Sequence, residues 1–470
     1  MGATAHVKLG SARSDPGPAC AAEPQSGYDS KQTTLRGWAL LSRCRAEERR
    51  SEDLQAIARQ AILTRGAGRA YGDAALPPAC SSAPVACSLQ ARRILDFDPK
   101  LGIVRTEAGV TVAQLAETFL PLGWFLPVTP GTAFATVGGL VAADVHGKNH
   151  RVAGTFGRHL RNLRIFTGRG ELVDASRHEN PDLFCAVQGG LGLAGHILEA
   201  SFQLEKIPGP WLDTQMLRAR DLDDLLDGLE GSEGRWPFHL AWADVAAGGR
   251  RFGRGIVDRG RWTDPPHASA VAPRARSRLL PTLRLPHGVI NRATVRAANA
   301  ARFRLASSSE VRRRSPYSFF YPLEQRVHLN GVYGPAGFVH HHCALPPERR
   351  LVQRYLELFR RIGGSAWLCA LKRFGPTGEG LLSFPFDGYS IALEFPARGA
   401  HARSMVDALN AFVADSGGRI YLVKDALSRP DHVRAMYPRI DEWQQIRRRW
   451  DPDLRIRSAL STRILGDEPG

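Results

Sequence analysis

Residues 127–157, PVTPGTAFATVGGLVAADVHGKNHRVAGTFG, constrain this chain more than any other segment. They combine glycines, small residues and histidine with almost no acid. Glycine has no Cβ and tolerates unusual dihedrals, so such backbone can come very close to a bound ligand. Small residues with free backbone N–H groups also suit a phosphate-bearing ligand. A second stretch of the same character, RGAGRAYGD at 65–73, lies upstream. Together the two read as a dinucleotide cradle made from loops.

Residues 118–143 carry no charge and are numerous enough to cross a bilayer. Pro121, Pro127, Pro130 and four glycines argue against one continuous helix there. The stretch reads as buried loop and strand.

With 470 residues the chain has room for two or three domains and a large core. A net charge of +17 favours anionic ligands, anionic membranes or nucleic acid without choosing among them. The basic residues are scattered and form no nucleic-acid motif, which argues against the last. Most basic positions are Arg, so Lys148, Lys372 and Lys424 stand out. Seven cysteines without a CxxC point to reduced thiols rather than a disulfide framework or zinc ribbon. Residues 1–30 hold no apolar leader core, and His6 stands where acylation of Gly2 would want Ser or Thr. A cytoplasmic protein is expected, with membrane association left open.

Residues 1–33 read as a disordered extension. SEDLQAIARQ (51–60) reads as a helix capped by Ser51, and AILTR (61–65) as a strand feeding the first glycine turn. Residues 103–120 read as strand, turn and amphipathic helix, with Ala113, Leu115, Ala116, Phe119 and Leu120 inward. Residues 162–176 read as a hairpin about 168–170, DLFCAVQGG as a helix stopped by glycine, and 196–207 as a strand. Composition shifts near 208–210. Residues 263–316, rich in Arg, Pro, Ala and Ser, read as a mobile excursion, a lid or a membrane-facing loop. Strand patterns return at 337–345, 367–374 and 389–395, with helical patterns at 348–362, 403–417 and 437–450. Mixed short strands and helices predict the α+β class.

Gly190 to Gly195 matches GxGxxG letter for letter, but it follows a helix and precedes a strand, the reverse of Rossmann order. Gly66 and Gly68 follow a strand, yet Pro77 and Pro78 deny them a helix. A pyrophosphate site built from several loops fits both patterns. Residues 65–73, 127–157, 189–197 and 418–425 together resemble the FAD-linked oxidases of the vanillyl-alcohol-oxidase type. The wording is most similar to the decaprenylphosphoryl-β-D-ribose oxidase group. PVTPGT, TVGG, HGKNH, YGPAGF, FGP…LSFP, GGR-Y-KD and AMYPR-DEW arrive in that group's order between Thr34 and Arg463.

The resemblance implies a two-part, PCMH-type FAD-binding domain (34–208, with 418–470 returning to it). A substrate domain of antiparallel sheet plus helices, 209–417, would be inserted between. Arg65, Gly66, Gly68, Arg69, Tyr71 and Gly72 would wrap the pyrophosphate. Pro130, Gly131, Thr132, Thr136, Val137, Gly138 and Gly139 would run along the diphosphate and ribose. His146, Gly147, Lys148 and Asn149 would line the isoalloxazine side, Ile197 would close on the adenine, and Tyr421 would sit near the ring. Some relatives attach FAD through a histidine in the first glycine loop. Arg69 and Ala70 stand there in this chain, which implies non-covalent FAD. Leu191 stands where the group tends to carry Asn.

Flavin oxidation of an alcohol needs the substrate C–H near N5 and a group to take the hydroxyl proton. A buried lysine with a lowered pKa suits that task. Lys424 is the first candidate. Lys372 is the second and reads as a phosphate binder or as a surface lysine at a strand end. His146 reads as flavin contact, base or satisfied loop histidine. By resemblance, Phe320, Asn330, His340, His342, Lys372, Phe374, Ser390 and Ala392 would form the substrate pocket. His340 and His342 stand where the group carries amides, Ala392 where it carries Cys, and Gly331 where a larger basic residue is usual. On a strand His340 and His342 share a face, but Cys343 points away and no acid has a convincing spacing, so no metal is expected. Tyr317, Phe319, Phe320 and Tyr321 read as a hydrophobic wall for a lipid-linked substrate or as core. Arg312–Arg314 read as a contact to anionic lipid or as a solvated run.

The resulting expectation is an FAD-dependent oxidoreductase acting on C2′ of a phosphorylated, polyprenyl-linked pentose. Its keto product would be the oxidative half of an epimerisation. A separate NAD(P)H-dependent short-chain reductase would complete that reaction, and a quinone or O2 would take the electrons. The alternative keeps the flavin and takes a soluble sugar, alditol or sugar lactone.

Overall fold

The computed structural model describes residues 28–79, 81–263, 285–286, 288–322 and 329–468. Asp29–Arg36 (β1), Arg43–Arg50 (β2), Leu63–Arg65 (β3) and Val85–Cys87 (β4) form a four-stranded sheet in the order β1-β2-β4-β3. The extension expected to be disordered through residue 33 therefore joins this sheet from Asp29; residues 1–27 lie outside the described residues. Between β2 and β3 runs the short helix Leu54–Ala58 (α1). Its cap is Asp53, whose side chain accepts from the Ala56 N–H, and not Ser51, which accepts from the Asp53 N–H.

Ile94–Asp98 (β5), Ile103–Glu107 (β6), Trp124–Phe125 (β7), Leu160–Phe166 (β8), Leu172–Ser176 (β9), His196–Gln203 (β10) and Glu205–Lys206 (β11) follow. Five of them make an antiparallel sheet, β5-β6-β10-β8-β9, and β7 pairs with β11. Val112–Phe119 (α2) starts at Thr111, which caps it, and buries Val112, Leu115, Ala116 and Phe119. Val137–Ala142 (α3) is capped by Thr136, so the uncharged run expected as loop and strand ends in a helix. His150–Ala153 (α4) and Pro181–Val187 (α5) complete this part.

The remaining strands are Leu212–Ala219 (β12), Phe238–Ala243 (β13), Gly255–Trp262 (β14), Arg312–Arg314 (β15), Phe338–Leu345 (β16), Leu368–Phe374 (β17), Gly388–Pro396 (β18) and Arg419–Ile420 (β19). They form one antiparallel sheet in the order β15-β12-β14-β13-β17-β18-β16-β19. Leu222–Glu230 (α6) packs on β12 to β14. The excursion expected across 263–316 contains the helix Arg292–Leu305 (α7), begun by a capping box between Asn291 and Thr294. Its Phe303 packs with Trp242 and Ile256. Residues 264–284 lie outside the described residues. In β15, Arg314 pairs with Asp258 at 3.0 Å, whereas Arg312 and Arg313 are exposed. Pro316–Phe320 (α8) buries Tyr317, Phe319 and Phe320, so the aromatic cluster is largely core. Arg349–Arg361 (α9) and Gly399–Asp415 (α10) cover the same sheet face as α6.

The tail adds Pro430–Met436 (α11), Ile440–Trp450 (α12) and Ala459–Leu465 (α13). It returns to the first part of the chain. The Trp443 indole donates to the Ala186 carbonyl at 2.9 Å, and the buried Arg447 pairs with Asp467 at 2.6 Å. Arg463 bridges Asp73 of the first glycine loop and Asp425 of the tail, each at 2.9 Å. Among the described residues no helix is long and apolar enough to cross a membrane.

Candidate active site

Strands alternate their side chains between two faces. On one face of the large sheet, register sets His340 beside Glu394, His342 and Ala370 beside Ala392, and Lys372 beside Ser390. On the other, His341 meets the helices: its Nε2 is 2.9 Å from Asn410 Oδ1 of α10, and its Nδ1 is 2.7 Å from the Tyr355 hydroxyl of α9. The middle histidine of the three is thus a structural link. The outer two face a cavity of about 370 Å³.

Glycine loops at 66–71, 129–139 and 191–197 build the opposite wall. A Cβ added at Gly66 would run into the Thr136 side chain, and one at Gly138 would lie 3.1 Å from the Ala108 Cβ. The two stretches singled out in the sequence are therefore pressed together. Gly72 is seated against the Asp425 carbonyl, and the Tyr71 N–H donates to the Val423 carbonyl at 3.1 Å, which brings Lys424 to the same place.

Of the residues expected at a cofactor, Gly66, Gly68, Arg69, Tyr71, Pro130, Gly131, Thr132, Thr136, Gly138, Gly139, His146, Lys148, Ile197 and Tyr421 line this cavity. Arg65, Gly72, Val137, Gly147 and Asn149 stand behind the wall. Arg65 donates to the Ala75 and Arg36 carbonyls at 2.8 Å, and Asn149 to the Pro127 carbonyl at 2.8 Å. Of the expected substrate residues, Phe320, His340, His342, Lys372, Ser390 and Ala392 line it. Phe374 backs His146, with ring centroids 4.8 Å apart, and Asn330 sits in the turn Leu329–Tyr333, away from the wall.

Among the described residues, the charged side chains of the lining are Arg69, Lys148, Lys372, Lys424 and one carboxylate, Glu394. Burial lowers Lys372 to about 7, helped by the nearby Lys424 and Lys148, and lowers Lys424 and Lys148 to about 8. Burial holds His340 near 4 and drives His146 and His342 well below the usual histidine value. These rings are neutral hydrogen-bond partners at neutral pH. Lys424 Nζ lies 3.0 Å from His340 Nε2, and Lys372 Nζ lies 3.3 Å from His146 Nδ1 and 3.4 Å from the Gly147 carbonyl. Lys148 donates to the Phe319 carbonyl at 2.6 Å and sits over that ring. His342 Nε2 lies 2.7 Å from Ser390 Oγ, while its Nδ1 is buried without a partner. Tyr421 donates to the Ala143 carbonyl at 2.8 Å and stacks on Phe384. Among the described residues no group of three or more His, Cys, Asp and Glu side chains could hold a metal ion. Among the described cysteines, Cys87, Cys185, Cys343 and Cys369 are free thiols; Cys20 and Cys80 lie outside the described residues.

Glu394 escaped the sequence reading. Its signal was the alternation in YSIALEF, which puts it on the face of Ser390 and Ala392.

Residues 46–176 match the FAD binding domain family. The decaprenylphosphoryl-β-D-ribose oxidase of Mycolicibacterium smegmatis is 31% identical over 465 residues, covering 92% of this chain and 97% of the relative. This chain belongs to the decaprenylphosphoryl-β-D-ribose oxidase family. It is an FAD-dependent oxidoreductase of the FAD-linked, PCMH-type fold. An uncharacterized protein of Streptomyces coelicolor is 36% identical over 373 residues, covering 76% of this chain and all of that protein. The human delta(24)-sterol reductase is 33% identical over 112 residues, 24% of this chain and 22% of the relative.

The cavity fits this family's cofactor. A Cβ at Gly131 or Gly192 would meet nothing within 4 Å, so both glycines leave room that a side chain would fill. The volume lies in the range of ligand pockets, about 300–1,000 Å³. The cationic excess of the lining matches a pyrophosphate.

Proposed function

We propose that this enzyme oxidises the C2′ hydroxyl of a phosphorylated, polyprenyl-linked pentose, the oxidative half of an epimerisation. The observation that carries the proposal is that Lys372 of the sheet wall and Lys424, in the turn just after β19, open onto the same cavity as the glycine loops. The name of the Mycolicibacterium relative supports the sugar class.

Bound FAD supplies the hydride acceptor. Gly66, Gly68, Arg69, Gly131 and Gly138 would hold its pyrophosphate and ribose, and His146 and Tyr421 would stand beside its ring. Arg69 lies between the rings of Trp38 and Phe134, at 4.1 and 4.6 Å. No nucleophilic histidine occupies that loop position, so the attachment is non-covalent. Denaturation should release FAD into solution, and colour kept on the precipitated chain would contradict it.

Lys424 accepts the hydroxyl proton. Burial keeps much of it neutral near pH 8, and the fraction able to act as base grows as pH rises. Lys372 takes the substrate phosphate, whose charge restores the ammonium that burial disfavours. His146 accepts from Lys372 at Nδ1 and so orients it. Exposed Arg312 and Arg313 would face anionic lipid beside the polyprenyl chain. An NAD(P)H-dependent reductase would complete the epimerisation, and a quinone or O2 would collect the electrons.

A soluble sugar, alditol or lactone is the second reading. His342, with its buried, unpartnered Nδ1, favours a polar substrate in the place where the group carries an amide. Anaerobic stopped-flow bleaching of the FAD-loaded enzyme separates the two. A short-chain polyprenylphosphoryl ribose should bleach it rapidly and free alditols or lactones slowly; the reverse order would overturn the first reading.

A further inference from the structure

His340 and Glu394 are register partners on β16 and β18, both nearly inaccessible to solvent. Glu394 Oε1 lies 2.8 Å from His340 Nδ1. With Glu394 as the acceptor, the ring proton sits on Nδ1 and the Nε2 lone pair faces outward. Lys424 Nζ meets that lone pair at 3.0 Å. The second Glu394 oxygen accepts from the Tyr333 hydroxyl at 3.3 Å, and the Trp367 indole donates to that hydroxyl. The Tyr71 ring closes the row, 4.5 Å from the His340 ring and 4.5 Å from Lys424 Nζ. From Trp367 to Lys424 each link joins a donor to an acceptor, and Tyr71 touches the row through its ring.

We infer that Lys424, His340 and Glu394 form a proton relay that carries the substrate's hydroxyl proton away from the reacting carbon, building on the base role given to Lys424 above. The substrate O–H breaks and its proton joins the Lys424 amine. One ammonium proton moves to His340 Nε2 while the Nδ1 proton moves to Glu394 Oε1. Lys424 is again an amine, His340 is the opposite tautomer and Glu394 is a carboxylic acid. The hydride leaves the carbon with its electron pair for the FAD. The imidazole need never carry a second proton, which its burial disfavours. The alternative end state, an ammonium and a carboxylate both kept in a closed site, carries a larger desolvation cost.

Several ionisable groups face this row. Tyr71 comes from the first glycine loop, His342 from β16, Lys372 from β17, Tyr333 from the turn before β16, and His146 from the second glycine stretch. Lys424 and His341 disfavour a charged His340, and among the described residues Glu394 favours a charged Lys424. Removing the Glu394 charge therefore lowers the pH at which Lys424 becomes an amine.

The test uses the FAD-loaded enzyme and a short-chain polyprenylphosphoryl ribose. Glu394→Gln can accept the Nδ1 hydrogen bond but cannot take the proton, and His340→Gln removes the ring. Both should slow flavin reduction by about a hundredfold while FAD stays bound. In Glu394→Gln the pH midpoint of reduction should also move to lower pH. Glu394→Asp keeps an acid and should recover most of the rate, which a purely structural role would not predict. Without any substrate, the wild-type protein should show a downfield imidazole N–H proton resonance that moves upfield in Glu394→Gln. Wild-type rates and pH midpoints in both Gln variants, beside a dead Lys424→Met, would overturn the relay and leave the base intact. A fully active Lys424→Met would overturn the base itself. A missing downfield resonance in the wild type would remove the His340–Glu394 link.

Discussion

The two walls of the cavity are built by opposite means. The glycine wall works by what its residues lack: bare backbone at Gly131 and Gly192 opens onto the cavity. It is held from outside, by Arg463 clamping Asp73 to Asp425 and by Arg65 pinning the Ala75 and Arg36 carbonyls. The sheet wall works by what its residues carry. Register on β16, β17 and β18 places two histidines, a lysine, a serine and a carboxylate on one face. Changes to the first wall should cost cofactor before chemistry. Changes to the second should cost chemistry with the cofactor still in place.

The sharpest way to break that contrast is Lys424→Met. It should keep its FAD yet lose about a thousandfold in the rate of flavin reduction, within the range expected for a general base. Loss of FAD in this variant would mean that the walls do not divide their work. Gly131→Leu probes the other side. Its side chain would enter open space, so the apoprotein should melt as the wild type does. Its affinity for FAD, measured by fluorescence titration, should fall by about a hundredfold, or about 3 kcal/mol. Unchanged affinity would place the cofactor elsewhere.

Lys372→Met should raise KM for a phosphorylated substrate by about tenfold, the worth of a charge-assisted hydrogen bond. A neutral alditol should be unaffected. Equal losses for both would make Lys372 a structural residue.

The smallest effect is on stability. Lys372 has a folded value of about 7 against an ordinary 10.5. Between those values the unfolded chain binds more protons, so apoprotein stability rises with pH from about 7 towards 10 and is lowest below 7. Lys424 and Lys148 act in the same direction from about 8. The melting temperature of the apoprotein should climb by a few degrees between pH 7 and 9. Lys372→Met should flatten that slope, and an unaltered slope would mean that this amine titrates as if exposed.

The glycine wall was the legible one. Its residues come in three short continuous runs, and a run such as PGTAFATVGG has few structural uses. The sheet wall draws on residues far apart in sequence, and its alternation was visible only strand by strand. Ser390 and Ala392 were found, yet Glu394, two positions on, reads in isolation as the solvent end of an apolar strand. It becomes a site residue only when β18 pairs with β16. The same distance effect hid the clamp, since nothing near Arg463 points to Asp73. Composition misled at α7, where Arg and Ala suggested an excursion. The Asn291–Thr294 capping box and the burial of Val295 and Phe303 make it a helix instead.

The central claim is that both walls meet around one FAD, with Lys424 beside the reacting substrate. A density map of the FAD-loaded enzyme with a bound substrate analogue tests it most directly. The account predicts the pyrophosphate against Gly66, Gly68 and Gly131, the ring beside His146 and Tyr421, and Lys424 Nζ within hydrogen-bond reach of the analogue's hydroxyl. FAD outside this cavity, or an analogue hydroxyl beyond the reach of Lys424, would contradict it.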